Sequence, residues 1–188
     1  MSMRFQRKMT LAGLLAFCLP AMAFAEDCQI TLSQSVVDYH QLQRENIVTT
    51  QQDWHKMPER EVNVNVYCPE KHQIGVLLQG ASGEKGRFLF GEKGGVAIKI
   101  DNMIVDGKNY NVGKTGDQVN LTPESDGEQS LYLRNNETVV AVENNQVPIV
   151  QQMSFRVTVF PVLRDNAFRN TADVTQLESD LSWKIITK

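Results

Sequence analysis

Glu61-Val-Asn-Val-Asn-Val-Tyr-Cys68 decides the fold class. In an extended chain Val62, Val64, Val66 and Cys68 fall on one face, and Asn63, Asn65 and Tyr67 fall on the other. A side-chain period of two belongs to a strand, and one apolar face against one polar face means a strand half-buried on a core. Upstream, Cys28, Ile30 and Leu32 repeat the same parity. The two cysteines are therefore placed to staple the first two strands through the core.

Downstream the alternation continues. Gln73–Gln79 points Ile74, Val76 and Leu78 inward, and Arg87–Phe90 is short and apolar. Val96, Ile98 and Ile100 alternate with Ala97 and Lys99, and Asp106-Gly107 is a turn signal after Ile104-Val105. Ser130–Leu133 and Thr138–Val142 are further strands. Met153, Phe155, Val157 and Val159 alternate with Ser154, Arg156 and Thr158, and Leu181, Trp183 and Ile185 with Ser182 and Lys184. Pro58, Pro69, Pro123, Pro148 and Pro161 fall between these runs or at their ends, where strands tolerate proline. Asp38–Asp53 is polar and Gln-rich, a loop or a helical turn. Many short strands with turn signals between them predict a sandwich or barrel of one domain, 26–188.

The first residues carry Arg4, Arg7 and Lys8 and no acid. The apolar run Leu11–Pro20 follows, then Ala21-Met-Ala-Phe-Ala25. A basic head, a short apolar middle and an A-x-A tail form a secretory signal peptide, predicted to be cleaved after Ala25. The apolar run is shorter than the ~20 residues a spanning helix needs. Residues 1–25 hold three of the 19 Lys+Arg and none of the 22 Asp+Glu, so the exported chain carries a net charge of −6. That balance argues against nucleic acid, whose binding rests on neutralising phosphates. Cys18 leaves with the signal. Cys28 and Cys68 remain, and two cysteines in an oxidising compartment pair, the competing reading being two free thiols.

Signals for catalysis are poor. His40, His55 and His72 show no metal-ligand spacing, so no metal or cofactor is expected. Gly107–Thr115 resembles a phosphate-binding loop, but has one residue too many between its glycines and follows no strand-to-helix pattern; it reads as a hairpin connection. Gly80-Ala-Ser-Gly83 lacks the G-x-S-x-G of a nucleophile elbow. The chain is expected not to be an enzyme. Trp54 is the odd residue, a large aromatic in a polar stretch that either covers the end of the sandwich or offers a surface contact to a receptor.

Four motifs together resemble the pilin-domain subunits of chaperone–usher fimbriae. They are the C-x-x-x-L-x(4)-V-D-Y start, Cys28-Gln-Ile-Thr-Leu-Ser-Gln-Ser-Val-Val-Asp-Tyr39; the strand Val64-Asn-Val-Tyr-Cys68; Phe88-Leu-Phe-Gly91 leading through Gly94-Gly95 to Val105-Asp-Gly107; and the alternating strand from Leu181. The resemblance implies an all-β fold, an incomplete immunoglobulin-like sandwich lacking its last strand. It implies a groove walled by the C-terminal strand, with Leu181, Trp183 and Ile185 facing inward. A periplasmic chaperone fills such a groove first, and after delivery to an outer-membrane usher a neighbouring subunit's extension replaces it. Those three, and a host receptor, are the implied partners; the location is the periplasm, then a surface fimbrium. One departure from the pattern stands out. Only Glu26 and Asp27 lie between the predicted cleavage point and Cys28. Such a subunit accepts a strand but has none to give, which implies a minor, tip or adhesin-like role. The alternative is a self-contained exported β-sandwich binding module, lectin-like, which would be stable alone.

Overall fold

Glu61–Cys68 lies inside a single long strand. The computed structural model describes residues 27–40, 48–51 (as backbone), 54–92, 94–164 and 177–188. The predicted signal peptide, 1–25, lies outside them, as does much of the polar Asp38–Asp53 stretch. In chain order the strands are β1 (Gln29–Leu32), β2 (Val48–Gln51), β3 (Trp54–Lys56), β4 (Arg60–Gly80), β5 (Phe88–Phe90), β6 (Gly94–Val105), β7 (Lys108–Asn109), β8 (Asn111–Thr115), β9 (Ser130–Leu133), β10 (Thr138–Val142), β11 (Ile149–Arg164) and β12 (Leu181–Thr187). The described residues are all-β apart from a 3-10 turn at Glu84–Gly86.

β4 has 21 residues. That is roughly 70 Å of extended chain, far more than an ordinary strand. Its partners change along its length. Val64–Tyr67 pair with β1 on one edge, while Arg60–Tyr67 pair with β11 on the other. Ile74–Gly80 pair with β12, and Gly75–Leu77 with β10. The changeover is a bulge. Tyr67 pairs with Gln152 and His72 with Val150, so four residues of β4 stand opposite Gln151 alone. The Gln151 amide donates to the Pro69 carbonyl at 2.8 Å and secures the irregular segment. Through it β4 passes from one sheet, β1-β4-β11-β6, to a second, β12-β4-β10-β8.

The two sheets share one core. Val64, Val66, Ile98, Ile100, Phe155 and Val157 of the first pack in the same cluster as Ile74, Val76, Leu78, Val139 and Ala141 of the second. This is an immunoglobulin-like sandwich in which, among the described residues, no strand lies beyond β12. Cys28 and Cys68 form a disulfide, with Cα atoms 4.2 Å apart, that ties the start of β1 to β4. The outer face of the first sheet is solvated. Arg156 on β11 donates to Asp101 on β6 at 2.6 Å and reaches Glu61 on β4 at 3.6 Å.

The structure departs from the sequence reading in four places. Glu61–Cys68 and Gln73–Gln79 are one strand, because the bulge lets the chain change partners without turning back. Pro69 and Pro161 lie inside strands. Pro161 accepts from the Met57 amide at 3.0 Å. Its missing N–H points to that same edge, between Val159, paired with β4, and Val162, paired with β3, so the ladder to β6 is intact. Gly107–Thr115 is no simple connection but a two-residue turn at Asp106-Gly107 followed by β7 and β8. Asp106 and Gly107 both take positive φ, 44° and 80°, as a tight hairpin between right-twisted strands requires. Finally, part of Asp38–Asp53 is strand, since β2 pairs with β3.

A second, smaller cluster covers the outer face of the second sheet. Leu121, Val140, Val142 and Val147 are buried there, with Ile186 against them. Asp117 folds the loop that brings Leu121 in. Its carboxylate accepts from the Val119 and Asn120 amides at 3.0 and 2.9 Å and from the Thr122 hydroxyl at 3.2 Å. Those bonds favour the charged form and hold the Asp117 carboxyl below the usual range. Gly75 must be small here, because a Cβ would lie 2.7 Å from Thr138 and 2.9 Å from Leu121.

Candidate functional site: the open edge between β1 and β12

β1 and β12 follow one another along the same edge of β4. The backbone of Asn63 bonds Ser33 at the end of β1, and that of Gln73 exchanges both bonds with Lys188 at the end of β12. The opposite edge carries β11 and then β10. Because the core lies between the sheets, β1 terminates one and β12 the other on the same side of the sandwich. Among the described residues neither strand has a partner on its outer edge.

Side chains along this edge point at the core without being covered by it. Leu181, Trp183 and Ile185 alternate with exposed Ser182 and Lys184, and all three pack against the main core while only half-buried. Cys28, Ile30 and Leu32 do the same from β1, joined by Val37 and Tyr39 from the segment after it. By contrast Ile98, Ile100, Val64 and Val66 in the strand interiors have no exposure. A core that is sealed in the middle and half-open along one side is an apolar cleft flanked by two strand edges. An uncovered edge of this kind is a template for another strand.

The ends of the cleft are pinned. At the start of β12, Leu181 pairs with Gly80, whose backbone is gripped by the Asn135 amide group at 3.0 and 2.8 Å. The side of β4 facing away from β12 is thus closed by a side chain imitating a strand. At β1, Asn63 donates to the Ser33 hydroxyl at 2.9 Å and Gln34 donates to the Glu61 carbonyl at 3.1 Å. Tyr39 closes the far side. Its hydroxyl is buried without a hydrogen-bond partner among the described residues, and the Arg60 guanidinium lies 5.4 Å from its ring centroid. Burial pushes the Tyr39 phenol up to about 12, against the pull of Arg60 in the other direction.

The sequence-predicted residues thus separate. Leu181, Trp183 and Ile185 lie along the second half of β4, while Cys28 and Cys68 tie β1 to its first half. Trp54 starts β3 rather than standing in a loop, and the guanidinium groups of Arg87 and Arg164 each lie over its ring, 5.0 Å from the centroid. No cluster of three or more metal-ligating side chains occurs among the described residues. What sequence reasoning did not single out is β1's share of the cleft, Ile30, Leu32 and Tyr39. The parity of Cys28, Ile30 and Leu32 contained the signal; their incomplete burial is a property of the neighbouring sheet and not of local pattern.

No known protein family matches the chain, and no curated protein matches it. Among solved structures, the P pilus rod subunit PapA matches over 92% of this chain and 99% of its own, at 9% identity and a TM-score of 0.43.

Proposed function

We propose that this chain is a structural subunit of a chaperone–usher fimbria, completed by a strand from a partner that pairs along the outer edge of β12. The observation that carries the reading is the open edge itself: two unpartnered edge strands, one from each sheet, over a shared row of half-buried apolar side chains. A donor of β12's seven residues, roughly 23 Å long, with apolar side chains at every second position, supplies both missing backbone bonds and missing burial. The partners on this reading are a periplasmic chaperone, an usher and a neighbouring subunit. The disulfide suits an oxidising compartment outside the cytoplasm. The minor or tip position rests on the cleavage point predicted after Ala25, and a host receptor on that position. The reading gives the chain no catalytic role.

The test is expression of the exported chain in a periplasm, alone and with a fimbrial chaperone. Aggregation or degradation alone, with rescue as a one-to-one complex, is the expected result. A monomer that folds cooperatively and persists without the chaperone would overturn the reading and favour a self-contained module.

A further inference from the structure

A second concavity lies away from the open edge, with β4 and β11 between them. It is a cavity of about 710 Å³ bounded by the ends of β3, β9 and β11, the turn before β5, and β6. That is the size of a small-molecule site. Its lining is partly apolar, with Met57, Ala97, Phe160 and Val162 among it. Two aromatic rings stand at it, Tyr132, 60% exposed, and Phe160, with ring centroids 6.2 Å apart and planes tilted by 52°.

The charge around it departs from the rest of the molecule. Overall the chain is acidic, at −3. Yet four lining residues are cations, Lys56, Lys85, Arg87 and Arg134, against one acid, Glu59. The neighbouring acids are engaged elsewhere. Glu84 pairs with Arg164, and Glu137 accepts the Arg134 backbone amide while pairing with Lys114. Lys56, Lys85 and the Arg134 guanidinium have no ion pair among the described residues, while Arg87, stacked over Trp54, keeps its Nη1 buried with no acceptor.

We infer that this cavity binds an acidic saccharide, a pyranose ring bearing a carboxylate or sulfate. Its flat C–H face stacks on Tyr132 and Phe160, and its anionic group meets the exposed cations Lys56, Lys85 and Arg134, Arg134 providing forked donors that match a carboxylate or sulfate. A sugar acid joins an apolar face and a charge in one rigid unit of the cavity's size. An acidic peptide carries its charges on flexible stems and loses more freedom on binding. This inference does not depend on the fimbrial reading, because the cavity shares no residue with the open edge.

The test is titration of the full chain, free or held by a strand donor as monodispersity requires, followed by calorimetry and by the NMR signals of Tyr132. The probes are a hyaluronan tetrasaccharide (carboxylates only), a heparin tetrasaccharide (carboxylates and sulfates), uncharged cellotetraose and tetraglutamate. Saturable one-to-one binding of one or both acidic saccharides, with Tyr132 signals shifting, is expected; which one binds identifies the anionic group. Cellotetraose and tetraglutamate should bind about ten-fold more weakly or worse. Lys85→Glu with Arg134→Glu should weaken acidic saccharides about ten-fold at an unchanged melting temperature, and Tyr132→Ala about five-fold. All three positions are exposed, so folding is preserved; the wild-type Tyr132 shifts supply a readout that needs no variant. Absence of saturable binding, binding that leaves Tyr132 unmoved or survives the charge reversal, or equal binding of tetraglutamate would overturn the inference.

Discussion

Tyr39 shows how one side chain reports on the open edge. Its ring is part of the half-buried row beside β1, and its hydroxyl is buried without a partner among the described residues. Such a group contributes apolar contact but bears the cost of a polar atom taken from water. Its folded-state pKa, about 12, lies above the ordinary value of about 10 for a phenol. The folded chain therefore holds this proton more tightly than the unfolded chain. The corresponding stability is complete below about pH 10 and is lost as pH rises from there towards 12. Tyr39→Phe should leave stability at neutral pH unchanged or raise it by up to about 1 kcal/mol, and should flatten the decline above pH 10. Denaturant midpoints of the two proteins, measured side by side from pH 7 to 12, check this. Parallel alkaline declines would show that the hydroxyl is not buried in the folded chain. Asp117 has the opposite sign. Its carboxyl is held low by the Asn120 and Val119 amides, so the order it gives to the Leu121 loop is present above the ordinary carboxylate pKa and fades on acidification through the lowered value. Asp117→Asn should loosen that loop at neutral pH, read as faster amide exchange at Val119 and Asn120.

At the scale of elements, β1 has little strand pairing of its own. It has four residues and one partner. What holds it is the disulfide, together with the bonds of Ser33 and Gln34 to β4. The bridge closes a loop of sequence separation 40, so Cys28→Ser with Cys68→Ser should cost about 3–4 kcal/mol. The amides of Thr31 and Ser33, which face β4, should lose protection before those of β11; uniform loss would mean that β1 is held by packing alone. The strands themselves were legible in the sequence wherever one face is polar, as at Glu61–Cys68, Met153–Val159 and Leu181–Ile185, because a half-buried strand writes its period into the residues. β10 was legible only as an apolar run. Thr138–Val142 is buried on both faces, since Val139 and Ala141 meet the main core while Val140 and Val142 meet the Leu121 cluster. The continuity of β4 was not legible, because a proline inside a strand reads locally as an end, and only the partners on either side show that Pro69 interrupts no shared ladder. The cavity was equally hidden. Its cations come from β3, the turn before β5 and the end of β9, and no window of sequence brings those segments together.

The whole molecule is a sandwich whose stability is graded from one side to the other. β11 lies at the centre of the first sheet, bonded to β4 on one edge and β6 on the other through long registers. Its inward residues Met153, Phe155 and Val157 are buried, and they meet the fully buried Ile98 and Ile100. β12 lies at the open side, with one partner and half-buried side chains. Local opening requires breaking fewer bonds and exposing less new apolar surface there than at β11. Native-state hydrogen exchange should therefore rank the chain: the Lys184 and Ile186 amides, on the same edge of β12 as the Lys188 amide that bonds Gln73, among the fastest of the bonded strand amides, Phe155 and Val157 among the slowest. Ile98→Ala, at the sealed centre, should cost about 2–5 kcal/mol, whereas Trp183→Ala at the rim should cost less despite removing a larger side chain. A peptide strand that fills the cleft should slow exchange at Trp183 and Ile185 by far more than at Phe155, and should make the Trp183→Ala cost approach that of a core residue. If β12 already exchanges as slowly as β11 before any strand is added, the edge is covered by the chain itself, and the cleft is not a place where a partner completes the fold.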